Sequence, residues 1–373
     1  MKIALIGGAG FIGSQLTKAY LDAGHDVFVV DNLSYGTRES IDLRARFYQV
    51  DIRHEKLRTI LQQEQPDLIS HQAVQLQHDV TGERALADAD VHIRGLLNIL
   101  DSSVHAQVKK IIFASGGNSL YGQKRTEQLP VTEDMVLQPQ CPLDISKVAG
   151  EWYIRYYSQR YGLKHSILRY ADVYGEIDTI HPPSLQHPLN YFLYMLSEQN
   201  RPIIRGAGNE IRDHIFIDDV VQANLCILEH GTNETFNISS GQGNSLNHLY
   251  RMAAHCLNSQ LEPVHLRNRE GKSNLHMGAL ATNPTLLEYA RAPIEYVPSE
   301  PVELLEEPAT AIILDNTRAE RVLGWRPQVM LSEGIERAAK YTLATKTGTP
   351  TVQRAEQTEE KKSLTDLGEL TAV

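Results

Sequence analysis

Residues 2–14 read KIALIGGAGFIGS, a short apolar run that passes through glycines 7, 10 and 13 into a segment with helical spacing. A G-x-x-G-x-x-G joint between strand and helix needs glycine for three reasons: the turn is tight, the backbone must come close to a pyrophosphate, and the helix must lie against the sheet. The start of the helix then offers free N–H groups and the positive end of its dipole to phosphates. The next apolar run, residues 27–30, ends at Asp31, the spacing of a carboxylate that holds the adenosine ribose diol. A carboxylate there repels a 2′-phosphate, so the expected cofactor is NAD rather than NADP. Asp51, after a third run at 47–50, is placed to accept a hydrogen bond from the adenine amine. The strand before, the helix after and the acid downstream are the context that gives a glycine pattern its meaning.

Outward from this joint the first half alternates strand-like and helix-like segments. Leu68 and Ile69 lead to Ser70 and His71, KKIIFAS (109–115) is a strand, 145–161 a helix and 166–170 a strand. Such alternation implies parallel crossovers, and continuous apolar runs suit strands covered on both faces. The expected fold class is α/β: a Rossmann-type doubly wound parallel sheet with a smaller C-terminal α/β substrate lobe. The expected division is a NAD-binding domain over 1–175, its sheet completed by segments near 212–240. A mainly substrate-binding lobe follows over 176–344, then a polar, threonine-rich tail over 345–373 that is expected to be disordered. Strand–helix pieces are expected at 216–228 and 235–238, and 266–310 reads as irregular, with acids at Glu300, Glu303, Glu306 and Glu307.

Composition narrows the function. The formal net charge of the 373 residues is -10, which disfavours broad binding to a nucleic-acid backbone. Cys141, Cys226 and Cys256 are odd in number and widely spaced, so neither a disulfide framework nor a metal site is expected. The expected setting is a reducing, cytoplasmic one. No apolar run is long enough to span a bilayer, and MKIALIGG enters a strand without the pattern of a cleaved leader.

GGAGFIGS and VVDNLSYG, taken with His71-Gln-Ala, the stretch from Phe113 to Gly122, SKVAGE (146–151), Leu168-Arg-Tyr, RDHIFIDDV (212–220), Phe236-Asn-Ile and Leu323-Gly-Trp, are collinear. The chain resembles the extended short-chain dehydrogenase/reductase family over about residues 1–340, and within it the nucleotide-sugar epimerases and dehydratases. The resemblance implies a tyrosine that takes a proton from a sugar hydroxyl, with a lysine one helical turn later lowering its pKa and holding the nicotinamide ribose. It places Gly7, Gly10, Phe11, Ile12, Gly13, Asp31, Asn32, Asp51, Ile52, Ala73, Ser115, Lys147, Tyr170 and Val173 along NAD, Asp172 and Arg212 on the substrate, and Lys147, Ser115 and Ser119 in catalysis. It also implies a homodimer packed through two helices per subunit, one of them carrying Lys147.

Departures from the family pattern gather at one place. Four residues before Lys147 stands Leu143, which can neither give nor take a proton. Gly117 stands where a hydroxyl is common, Asp172 replaces an asparagine, His92 replaces another, and Glu300 aligns with a phosphate-binding arginine. Cys141, Asp144 and the His78-Asp79 pair are the other polar groups in the neighbourhood. Tyr121 and Tyr153 lie in other elements and are not expected to stand in for the missing phenol. The expected activity is NAD-dependent epimerase or dehydratase chemistry on an activated sugar or polyol, with altered acid/base groups. A catalytically silent NAD-binding protein and a dehydrogenase on a substrate without a diphosphate are the alternatives.

Overall fold

A computed structural model describes residues 1–75, 85–122, 124, 126–176, 187–266 and 310–346. β1 (Lys2–Ile6) passes through the glycine turn into α1 (Phe11–Asp22), followed by β2 (Asp26–Asp31), β3 (Arg46–Gln49), α2 (Lys56–Glu64) and β4 (Leu68–His71). A helical stretch then comes in three pieces: α3 (Ala85–Ala89), a π-helical turn (Asp90–Arg94) and α4 (Gly95–His105). β5 (Lys110–Gly116), α5 (Pro142–Tyr161), β6 (Lys164–Tyr170) and β7 (Asp172–Tyr174) complete the first half. Then come α6 (Pro188–Ser197), β8 (Ile203–Arg205), β9 (Ile211–Phe216), α7 (Ile217–Glu229), β10 (Glu234–Ile238), β11 (Gly243–Ser245), α8 (Leu246–Cys256) and β12 (Val264–Leu266). α9 (Thr317–Leu323) and α10 (Leu331–Lys346) close the described chain.

Seven strands form one parallel sheet in the order β10-β6-β5-β4-β1-β2-β3. Successive residues of β1 feed two cores. Ile3 and Leu5 pack with Leu16 and Tyr20 of α1, whereas Ala4 and Ile6 pack with Leu57 of α2 and Leu96 and Ile99 of α4. Burial on both faces is why these strands read as unbroken apolar runs. The chain reverses its direction of travel across the sheet between β1 and β4, and the crevice at their carboxyl ends is where ligands enter such sheets.

The structure corrects three boundaries. α1 starts at Phe11 rather than near 14, because extended Gly10 (φ -76°, ψ 175°) already serves as its N-cap. Within 212–240 only β10 joins the large sheet. β9 instead lies between β7, to which it is parallel, and antiparallel β11 in a separate three-stranded sheet. α10 continues to Lys346, past the expected start of the tail at 345. Residues 347–373, and the acidic stretch from Glu300 to Glu307, lie outside the described residues.

α10 is held to the body through Asp219 near the start of α7. The Asp219 carboxylate accepts the N–H groups of Gln328 (2.8 Å) and Val329 (3.1 Å), and its carbonyl accepts the Trp325 indole N–H (2.9 Å).

Candidate active site

The glycine turn is built around close approaches. A Cβ on Gly7 (φ +84°) would lie 2.5 Å from the backbone nitrogen of Ala73, and one on Gly13 would lie 2.1 Å from the Gly7 carbonyl oxygen. Gly36, at the end of the VVDNLSYG stretch, is equally constrained, 2.1 Å from the Ala9 carbonyl oxygen. At Gly10 an added methyl would make only an ordinary 3.5 Å contact within the protein, so a demand for glycine there comes from a ligand rather than from the fold. No side chain caps α1 and no acid sits in its first turn, which leaves the amides around Phe11, Ile12 and Gly13 suited to a pyrophosphate. Asp31 stands beside this cradle. Its Oδ2 accepts from Ala9 N–H (3.0 Å) and its Oδ1 from Leu33 N–H (2.8 Å), and each oxygen keeps a lone pair for a ribose hydroxyl. These residues fit NAD.

On the adenine side, Asp51 is more heavily committed than its sequence position suggests. Arg53 donates to both of its oxygens through Nε (2.8 Å) and Nη2 (2.7 Å), Arg53 N–H adds a bond to Oδ1, and Asn32 Nδ2 donates to Oδ2 at 3.0 Å. Arg53 thereby holds the carboxyl well below the usual carboxylate range. With four donors already in place, an adenine amine would have to displace one of them. The neighbouring Ile52 is buried and its carbonyl accepts from Asn98 at 2.7 Å.

Lys147 emerges from α5 beneath the crevice. That helix begins with Pro142 at its first turn and ends at Gly162 in the left-handed region (φ 73°), signals that suit each end. The buried ammonium donates to the Ala114 carbonyl (2.7 Å) and lies 4.8 Å from the Phe113 ring centre. Burial lowers its pKa to about 8. Leu143 sits four residues earlier on the same helix, half-buried.

The serine assignments divide. Ser115 is turned into the core, where its hydroxyl donates to Glu151 Oε1 (2.8 Å) beside the Glu151–Arg169 ion pair. Its hydroxyl is thus part of a buried polar cluster. A side chain at Gly117 has no room, since its Cβ would fall 2.4 Å from the Tyr170 carbonyl oxygen. At Gly116 a Cβ would instead face the Ser119 hydroxyl at 3.1 Å, so the half-buried Ser119 side chain occupies the space that the missing side chain leaves. Tyr121 is sealed in the core, its hydroxyl donating to Asn237 (2.7 Å) and accepting from Arg169 (2.8 Å), while Tyr153 is exposed on the outside of α5. Neither can replace a phenol at position 143. Burial pushes the Cys141 thiol up to about 11, which removes it as a nucleophile at neutral pH.

On the substrate side Arg212 is already paired. It bonds Asp172 (3.2 Å) and Glu210 (2.7 Å), and its charge keeps the Asp172 carboxyl below its ordinary value against the opposing effect of burial. Beside them His187 Nε2 and His214 Nδ1 meet at 3.0 Å in the interior. Burial depresses both, to about 3 and about 4, so the pair is neutral. Val173 lies half-buried between Asp172 and Tyr174. Tyr170, expected along the cofactor, has its ring in the core; its hydroxyl accepts from Asn224 (2.9 Å) and its carbonyl accepts from Gly117 N–H (2.7 Å).

Sequence reasoning singled out His92 and quoted Gly36 and Ser146 within motifs, but missed Arg53, the His187–His214 pair, and the network that joins His92 to Asp88 and Ser146. His78 and Asp79 lie outside the described residues.

Fold and site together define a dinucleotide-binding α/β protein with a glycine cradle, a buried lysine and an arginine–carboxylate cluster. The chain belongs to the NAD dependent epimerase/dehydratase family, whose model matches residues 3–239. A UDP-glucose 4-epimerase of Mycolicibacterium smegmatis is 30% identical over 91% of this chain and 98% of its own. Among solved structures, the UDP-glucose 4-epimerase of Thermotoga maritima with UDP-glucose is 32% identical, with a TM-score of 0.76 over 92% of this chain and 99% of its own. The Thermus thermophilus UDP-glucose 4-epimerase in complex with NAD is 26% identical, with the same TM-score and the same coverage of both chains.

Proposed function

We propose that this protein is a NAD-dependent epimerase of a nucleoside-diphosphate hexose, with a hydroxyl other than a tyrosine's in the proton-transfer position. The feature that carries the reading is Lys147, buried on α5 against the Ala114 carbonyl, together with a glycine turn that has no room for side chains at Gly7 and Gly13. Gly7, Gly10, Gly13 and the first amides of α1 hold the pyrophosphate, Asp31 the adenosine ribose, and Lys147 the nicotinamide ribose. The chemistry that bound NAD supplies is reversible acceptance of a hydride. The proton of the sugar hydroxyl passes through the Ser119 hydroxyl to the uncharged amine form of Lys147, which its lowered pKa of about 8 makes available, and returns when the ketone is re-reduced. Arg212 exchanges Glu210 or Asp172 for the substrate diphosphate, whose oxygens it can bind bidentately.

The test is direct. Purified protein with NAD and UDP-glucose should form UDP-galactose, followed by NMR. If neither UDP-hexoses nor their N-acetyl and uronic acid forms are converted, the epimerase reading falls. Leu143 supports a second reading, a NAD-binding protein without turnover. Tight NAD binding with no conversion of that panel would establish it.

The family resemblance extends to assembly. Exposed Ile145, Trp152 and Tyr156 recur along α5, and exposed Leu86 lies on adjoining α3. This face packs against a second copy to form a homodimer. No helix among the described residues is long and apolar enough to cross a membrane. Cys141, Cys226 and Cys256 are free, in keeping with a cytoplasmic setting.

A further inference from the structure

The loop that follows β4 packs directly on the glycine turn and is fastened at both ends. Gln72 N–H donates to the Ile6 carbonyl (2.8 Å), the Ala73 backbone fills the space where Gly7 lacks a side chain, and Gln75 N–H donates to His92 Nε2 (3.0 Å). His92 belongs to the π-helical turn, a distortion that often marks functional positions. Its Nδ1 lies 3.1 Å from Asp88 Oδ2, and Asp88 Oδ1 accepts the Ser146 hydroxyl at 2.6 Å. Ser146 immediately precedes Lys147. One imidazole thus joins the wall of the dinucleotide cleft to the helix that carries the buried lysine.

Only one protonation state satisfies this arrangement. An N–H can donate to Nε2 only if that nitrogen is bare, so the ring proton sits on Nδ1 and points at Asp88. A second proton would set an Nε2–H against the Gln75 N–H, two donors face to face, and the loop would have to move. Asp88 and the Lys147 cation are the charged groups near the ring. Burial keeps His71, on β4, neutral. Imidazole is the side chain whose charge changes within the physiological range.

We infer that His92 is a positioning residue for the cofactor: as a neutral acceptor it holds the 72–75 loop against the glycine turn, and on protonation it releases that loop and weakens NAD binding. The inference rests on the NAD site described above.

Two measurements on the full chain test it, on wild type and on His92→Gln, whose amide oxygen can accept from Gln75 but does not titrate. In ligand-free wild type, hydrogen exchange in a peptide covering 72–75, corrected for intrinsic rate, should lose protection as the pH falls from neutral into the acid range. NAD affinity by calorimetry should fall about tenfold over the same interval. In His92→Gln both should be flat, with affinity at neutral pH retained. His92→Phe, with no acceptor, should exchange fast and bind weakly at every pH, and circular dichroism at each pH separates these changes from unfolding. An unchanged acid slope in His92→Gln, or no slope in wild type, overturns the proposal. A loop that loosens with acid in a protein that takes up no NAD at any pH would instead overturn the cofactor reading and leave the His92 hinge standing.

Discussion

A single methyl group decides whether the cleft exists. At Gly13 it would fall 2.1 Å from the Gly7 carbonyl oxygen, so Gly13→Ala must push helix and turn apart. We expect NAD affinity to fall more than about 100-fold, by calorimetry, with a stability loss of about 1–3 kcal/mol. Lys147 obeys a different balance. The folded protein releases this proton near pH 8, while the unfolded chain holds it to higher pH. Between those two values the unfolded state binds more protons, so stability rises with pH there. Lys110, buried against the Ile227 and His230 carbonyls and also lowered to about 8, adds to the same slope. Lys147→Met should remove part of that rise in melting temperature between about pH 8 and about pH 10 and abolish turnover; an unchanged slope would show that Lys147 is not desolvated. The placement of the glycines, Asp31 and Lys147 was legible in the sequence because it is local, set by spacing along one strand and one helix. The surroundings of Ser115 were not, because Glu151 and Arg169 arrive from other elements.

At the scale of the element, α5 carries both the chemistry and its anomaly. Leu143 and Lys147 are one turn apart, so Leu143→Tyr restores a phenol on the lysine's helix face without a change of backbone. If the pocket otherwise fits the substrate, epimerisation should rise at least about tenfold, measured by conversion of UDP-glucose. No gain would mean that the sugar is held elsewhere. Ser119→Ala should lower kcat by about 10–100-fold with little change in KM if its hydroxyl serves the reacting oxygen. The helices and strands of the large sheet were legible because burial on both faces leaves unbroken apolar runs. β9 was misassigned to that sheet because a three-residue strand such as β7 or β11 has no periodicity to announce the separate sheet it joins.

The whole molecule presents two tests. Trp152→Glu with Tyr156→Glu places charges on the exposed face of α5 and should convert a dimer to a monomer in light scattering, leaving the spectrum of the folded protein intact. A wild-type protein that is already monomeric at micromolar concentration would refute the dimer. The second test concerns the interior. Glu151 and Arg169 form a bidentate pair with Nε–Oε1 and Nη2–Oε2 distances of 2.9 and 2.7 Å, enclosed by β5, α5 and β6. Arg169→Met alone leaves the buried Glu151 carboxylate with only Arg155, at 3.5 Å, and the Ser115 hydroxyl as partners and should cost about 3–5 kcal/mol, whereas adding Glu151→Leu should recover much of it. Descent follows from this arithmetic. A lineage cannot cross from ionic to apolar at these positions one codon at a time without passing through a crippled ancestor. Positions 151 and 169 should therefore change together or not at all among this protein's descendants and cousins.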